Sequence, residues 1–317
     1  MAQFTAAFLV VTVSFLWQGG LSFRDEVDLT VDLLQRSLEV DTPQRIRRLQ
    51  ASPMFWLHFP KCGTSFANAV YHLPGMCPGL DETLNLGNEE LFGSCFESGF
   101  RSYCPTKCDM SLLHCDWPPN ATHQWLTDQK YEQNKGRFVG LFRQPEQRLL
   151  SAYNDDEDLF RASPYPICRC CNETMTAEVS MDEFIKRWAS WQAGQICGIY
   201  PGVHNLTQAD VSKAVQRLEE GFAFVGLQEE WELSICLFHA KFGGKCLAVD
   251  FDDTRPSKGA SSHTYDTSIL NGWTDEPDRA VYAKAKQMFE ADLQKYDISH
   301  ETCKPCYEEA GLEWQDP

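Results

Sequence analysis

The chain has 317 residues, 43% of them hydrophobic, and a formal net charge of −17. That length and apolar fraction suit one large α/β domain with a substantial core and exclude a chain disordered by composition. The acidity excludes nonspecific nucleic-acid binding, which rests on neutralising phosphates, and sets a repulsive field against highly sulfated polyanions unless a local basic cleft overrides it.

Residues 1–22 carry no charged side chain, and Ala6–Trp17 is a nearly unbroken apolar run followed by the small residues of Gly20-Leu21-Ser22. This reads as a secretory signal peptide without the usual positive n-region. A short signal anchor stays open as the other reading, although the run is shorter than the ~20 apolar residues of a membrane span. Residues 23–317 then form a single domain. The charged stretch Asp25–Gln50, with Leu29, Leu33, Leu34 and Leu38 at near-helical spacing, predicts a leading helix.

Met54–Phe59 is a continuous apolar run of the kind found in buried parallel strands. Ser65–Tyr71 predicts a helix, which makes Pro60–Thr64 a strand-to-helix turn. Residues 76–130 are rich in Cys, Gly, Pro and Asn and predict a disulfide-held insertion. Phe138–Phe142 predicts a second buried strand, leading to a helix over Pro145–Tyr153 with Pro in its first turn. Ser180-Met181-Asp182-Glu183 has a capping-box pattern and predicts a helix with Phe184, Trp188 and Trp191 on one face. Asp210 is the expected cap of the next helix, with Val211, Ala214, Val215 and Leu218 inward and Gly221 as its stop. Phe222–Leu227 follows as a third strand, Glu229–Ala240 as a helix, and Cys246–Val249 as a short fourth strand. Pro277 opens a last helix with Val281, Ala285, Met288, Phe289 and Leu293 on its apolar face. Alternating strands and helices imply a mostly parallel central sheet flanked by helices.

There are 14 cysteines, dense between Cys95 and Cys115 and again at Cys168, Cys170 and Cys171. With a signal sequence these predict disulfides formed in an oxidising lumen. Cys303-Lys304-Pro305-Cys306 has no second CxxC partner pair, so a structural disulfide is expected there rather than zinc or redox chemistry. The sequence does not set connectivity. Sequons at Asn120, Asn172 and Asn205 are candidate N-glycan sites, again on the secretory route.

Two motifs carry candidate chemistry. Pro60-Lys61-Cys62-Gly63-Thr64-Ser65 sits where backbone N–H groups between strand and helix converge on an anion. Gly63 permits close approach, Thr64 and Ser65 add hydroxyl donors, and Lys61 adds a cation able to follow charge on a bridging oxygen. The motif lacks the GxxxxGK[ST] spacing of a nucleoside-triphosphate loop, and alone it fits a plain turn as well. The second motif is Phe142-Arg143-Gln144-Pro145, followed by Arg148, Ser151 and Tyr153. Arg143 ends a strand, where ligands collect in open α/β sheets, and its guanidinium can grip a phosphate with two hydrogen bonds. Pairing of Arg143 and Arg148 with the acidic stretch Asp155–Asp158 stays open.

FWLHFPKCGTSF followed by FVGLFRQPEQRLLSAY resembles the signature pair of Golgi carbohydrate sulfotransferases, nearest to the heparan sulfate 6-O- and 2-O-sulfotransferases. FAFVGLQEEWELSICLF, from Phe222 to Phe238, resembles the segment that follows in these enzymes. The resemblance spans Phe55 to about Tyr296 in short blocks. It implies a P-loop-like sulfotransferase fold and 3′-phosphoadenosine 5′-phosphosulfate as co-substrate. Lys61, Cys62, Gly63, Thr64 and Ser65 would hold the 5′-phosphosulfate, and Arg143 and Ser151 the 3′-phosphate. Two departures stand out: Cys62 is unusual in that turn and is a candidate free thiol beside the nucleotide, and Arg-Gln-Pro replaces the common Arg-Asp-Pro.

Sulfuryl transfer needs a base for the acceptor hydroxyl, worth about 10²- to 10⁴-fold. Of eight histidines, His58 reads as a core residue, whereas Leu112-Leu113-His114-Cys115-Asp116-Trp117 resembles the Leu-His-Ala-Asp-Trp block of the 6-O-sulfotransferases and implies His114 as the base. Lys258 and Gly259, in the polar loop Arg255–Ser262, resemble a loop that closes over the 3′-phosphate. The expectation is a metal-free sulfotransferase acting on a carbohydrate acceptor (a glycan or a glycosaminoglycan-like chain) in the Golgi lumen or after secretion. The alternatives are a P-loop small-molecule kinase and a catalytically inactive secreted binding protein on the same scaffold.

Overall fold

A continuous apolar run can be buried on both faces only if helices cover the sheet it joins, and the arrangement around Met54–Phe59, Phe138–Phe142 and Phe222–Leu227 follows from that constraint. A computed structural model of the chain describes residues 54–74, 76, 80–85, 125–154, 180–200, 205–254 and 264–313. The expected signal peptide, the leading helix and most of the Cys-rich insertion lie outside them.

The sheet has three strands in the order β1 (Phe55–Trp56), β2 (Phe138–Phe142), β3 (Phe222–Leu227), and both pairings are parallel. Phe55 pairs with Phe138 and Phe142 with Leu227, with a register shift at Phe138/Val139. β1 is shorter than the apolar run predicts. Leu57 N still donates to Val139 O at 2.9 Å, and then the chain turns, with Cys62 N on Phe59 O at 3.2 Å. Leu57 and Phe59 stay fully buried through this turn.

Around the sheet, a 3₁₀ turn at Thr64–Phe66 runs into α1 (Ala67–Tyr71), and α2 (Asp128–Asn134) precedes β2. Then come α3 (Pro145–Asn154), α4 (Met181–Trp188), α5 (Trp191–Cys197) and α6 (Gln208–Gly221) before β3. A 3₁₀ turn at Gln228–Glu230 leads into α7 (Trp231–Phe242), followed by α8 (Ala248–Phe251), α9 (Glu276–Lys295) and α10 (His300–Glu309). Helices α6, α7 and α9 pack against β3. Phe66 stacks on Phe224 at 5.6 Å and meets Phe238 at 4.9 Å, joining the turn after β1 to β3 and α7. A second cluster gathers Leu149, Leu150, Phe184, Trp188, Trp191, Tyr265 and Leu270 beside α3.

Three expectations are corrected. The helix carrying Phe184, Trp188 and Trp191 is broken after Trp188, because Ser190 adopts φ 60 and α5 starts afresh. The break is held by Asp275, which accepts from Ser190 N at 2.7 Å and Ser190 Oγ at 3.1 Å. The cap of α6 is Thr207, with Asp210 as the third helical residue of a capping box. Cys246–Val249 is not a strand: Asp250 draws the chain into the helical turn α8 by accepting from Leu247 N at 2.9 Å. The structural disulfide bonding expected at the CxxC pair is present, with each cysteine joined to a distant partner. Cys303 bonds to Cys236 and Cys306 to Cys246, so α10 is stapled both to α7 and to the segment before α8.

Candidate functional site

The ends of three parallel strands put three short segments side by side, as the fold class requires of a ligand site. After β1 the chain passes through Lys61 at φ 65 and Gly63 at φ 76, two left-handed residues within one turn. Such alternation turns successive N–H groups towards one side, a concavity suited to an anion. Cys62 N is occupied by Phe59 O, but the N–H groups of Gly63, Thr64 and Ser65 donate to no acceptor among the described residues. The hydroxyls already have neighbours: Thr64 Oγ1 lies 3.4 Å from His58 Nε2, and Ser65 Oγ 2.7 Å from Thr254 Oγ1. A left-handed lysine is uncommon, and such strain concentrates at functional turns.

Arg143 follows β2 and is 4% exposed. Its Nη1 donates to Lys61 O at 3.2 Å across 82 positions of sequence, so the guanidinium is a strut between the two motifs. It also lies over the Tyr265 ring at 5.7 Å. Burial pulls its pKa below the ordinary arginine value, opposed by the nearby Glu229 carboxylate. Arg148 is fully buried and faces inward, with Nε 3.4 Å from Asp278 Oδ2 and Nη2 on Trp188 O. It belongs to the core behind the site. Ser151 is buried on α3.

The Cys62 thiol is free, as expected, and its side chain is turned into the core. It is 1% exposed, with Sγ 3.7 Å from Gln192 Oε1 and 3.8 Å from Pro60 O. Burial pushes the thiol up to about 12, outweighing the pull of Arg148 and Arg143. It is therefore a protonated donor and a poor nucleophile.

Three residues at this site were not singled out by sequence reasoning. Gln192, fully buried on α5, bonds both the N–H and the carbonyl of Arg143. Glu229, in the turn after β3, accepts from Gln144 N at 2.7 Å and from Tyr282 OH at 3.3 Å, placing a carboxylate beside the second motif. Thr254 adds a hydroxyl next to Ser65. His58 is buried in the core, as the sequence reading expects, and stacks on Trp56 at 4.9 Å, yet it also reaches Thr64. Only an apolar run and its end mark such positions in sequence; the partners come from elements up to 189 residues away.

His114, Lys258 and Gly259 lie outside the described residues, as do Asn120, Asn172 and Asp155–Asp158. Asn205 is exposed just before α6. Among the described residues no group of three or more His, Cys, Asp or Glu is placed to hold a metal ion. No protein-family model, curated protein or solved structure matches the chain.

Proposed function

We propose that the chain is a sulfotransferase of the secretory pathway, which moves a sulfuryl group from 3′-phosphoadenosine 5′-phosphosulfate to a hydroxyl of a carbohydrate. The observation that carries this reading is the contact of the two motifs at adjacent strand ends, Arg143 Nη1 to Lys61 O at 3.2 Å. A nucleotide with phosphates at both ends fits two neighbouring anion-seeking segments. The N–H groups of Gly63, Thr64 and Ser65 take the 5′ end, and Arg143 and Ser151 the 3′-phosphate. The guanidinium is a planar fork of five donors, which serves a backbone carbonyl and a phosphate in one geometry.

In the reaction the acceptor oxygen attacks sulfur in line, and the bond from sulfur to the 5′-phosphate oxygen breaks. His114 takes the hydroxyl proton, and Lys61 offsets the charge left on 3′-phosphoadenosine 5′-phosphate. Lys258 and Gly259 close over the 3′-phosphate. The roles of His114, Lys258 and Gly259 rest on the resemblance of their sequence blocks. Positioning and electrostatics supply the rate, with no covalent intermediate and no protein-held metal.

The test is incubation of the purified chain with sulfur-labelled donor and a panel of neutral and lightly charged glycans. Label is expected to appear on a glycan, and His114→Ala should abolish transfer while nucleotide affinity is kept. Transfer of labelled γ-phosphate from ATP in place of sulfate would overturn the reading in favour of a kinase.

A further inference from the structure

Arg143 is the first residue beyond β2 and is buried. Its backbone N–H and C=O each carry a desolvation penalty unless they are hydrogen-bonded. Gln192 meets both: its Oε1 accepts from Arg143 N at 3.2 Å and its Nε2 donates to Arg143 O at 3.1 Å. A carboxamide carries a donor and an acceptor in one plane, so it extends the strand edge by one residue with a side chain. The same Oε1 faces Cys62 Sγ at 3.7 Å. These partners fix which way the amide points, since a flipped amide would set its NH₂ against two donors.

We propose that Gln192 is a positioning residue, which holds the Lys61–Ser65 turn and the Arg143 strand end at a set spacing, with the Cys62 thiol as the donor that orients its amide. Gln192 is itself anchored. Its own N–H and that of Ala193 donate to the two oxygens of Asp278 at 3.2 and 2.8 Å, and Asp278 faces Arg148 of α3. The chain of contacts thus runs from α9 through α5 to both strand ends. It also gives a physical reason for a cysteine in this turn: a small, buried side chain with one donor. Serine supplies the same donor, and alanine does not.

The inference concerns the protein alone, and it rests on the nucleotide reading only for its effect on binding. The test is hydrogen–deuterium exchange of the full chain, comparing peptides over 57–66 and 143–151 with a control peptide over 208–221. Gln192→Leu is expected to speed exchange in both strand-end peptides by roughly tenfold, as the loss of a buried hydrogen bond implies, and to leave the control unchanged. It should weaken binding of 3′-phosphoadenosine 5′-phosphate by a similar factor. If Gln192→Leu does not fold, the milder pair decides: Cys62→Ala should speed exchange in both strand-end peptides, and Cys62→Ser should restore it. Unchanged exchange, a change in one strand-end peptide only, an equal change in the control, or identical behaviour of Cys62→Ala and Cys62→Ser would each overturn the proposal. A wild-type chain that binds no nucleotide refutes the functional reading instead, and the exchange results still decide the role of Gln192.

Discussion

Gly63→Ala probes the turn after β1 most sharply, because two separate penalties meet there. The residue has φ 76, which an L side chain rarely adopts. An added Cβ would also fall 2.8 Å from Leu141 Cδ1 and 2.8 Å from Trp231 Cζ3. Neither neighbour can give way easily. Leu141 is 1% exposed within β2, and the indole is tethered by Trp231 Nε1 on Asp250 O at 3.0 Å. The left-handed backbone costs about 1–2 kcal/mol, and overpacking adds about 1–3 kcal/mol. Gly136 supplies the control: it has φ 80, but an added Cβ meets nothing within 4 Å. Gly136→Ala should therefore lose only the backbone part. Urea unfolding of both variants under non-reducing conditions reads the difference. Gly63→Ala is expected to be the less stable by about 1–3 kcal/mol. Equal losses, or an unchanged midpoint for Gly63→Ala, would refute the packing of this turn against Leu141 and Trp231.

Peptide mapping without reduction should recover Cys236 linked to Cys303 and Cys246 to Cys306, and a Cys303–Cys306 link would contradict the placement of α10. Removing either bond by a double Cys→Ala change should cost about 2–5 kcal/mol in urea unfolding. A loss within error of zero would show that α10 is held by packing alone. Asp275 gives a pH signature: burial first, and then the neighbouring Asp278 charge, raise its carboxyl well above the usual range. The folded chain therefore keeps a proton that the unfolded chain has lost. Its contribution to stability is full below the ordinary carboxylate pKa and is lost as pH rises towards neutrality. Between about pH 4 and about pH 7.5, Asp275→Asn should flatten the fall in stability with rising pH. Parallel pH profiles for the two chains would contradict a raised Asp275.

Where a single physical constraint sets an element, the sequence was enough to place it. β2 and β3 match the apolar runs Phe138–Phe142 and Phe222–Leu227 to the residue, because a buried parallel strand must be apolar on both faces. The start of α9 is marked by Pro277 in its first turn. Elements decided by distant partners were not legible. The break between α4 and α5 depends on Asp275, 85 positions away from Ser190. Cys246–Val249 was too short an apolar run to separate strand from helix, and a disulfide and the Asp250 carboxylate decide its path. At the candidate site, sequence order places both motifs after strands, but nothing in it marks Gln192, whose role exists only once α5 passes beneath the strand ends. Nor does it show that the Cys62 side chain turns inward, a consequence of the left-handed residues on either side of it.

The central claim is that these strand ends form a site for a nucleotide phosphorylated at both its 3′ and 5′ positions. Calorimetric titration of the purified chain with 3′-phosphoadenosine 5′-phosphate, and separately with ATP, tests it most directly. The account predicts saturable binding of 3′-phosphoadenosine 5′-phosphate, with ATP weaker by about tenfold or more. No binding of 3′-phosphoadenosine 5′-phosphate, or equal affinity for the two nucleotides, would contradict it.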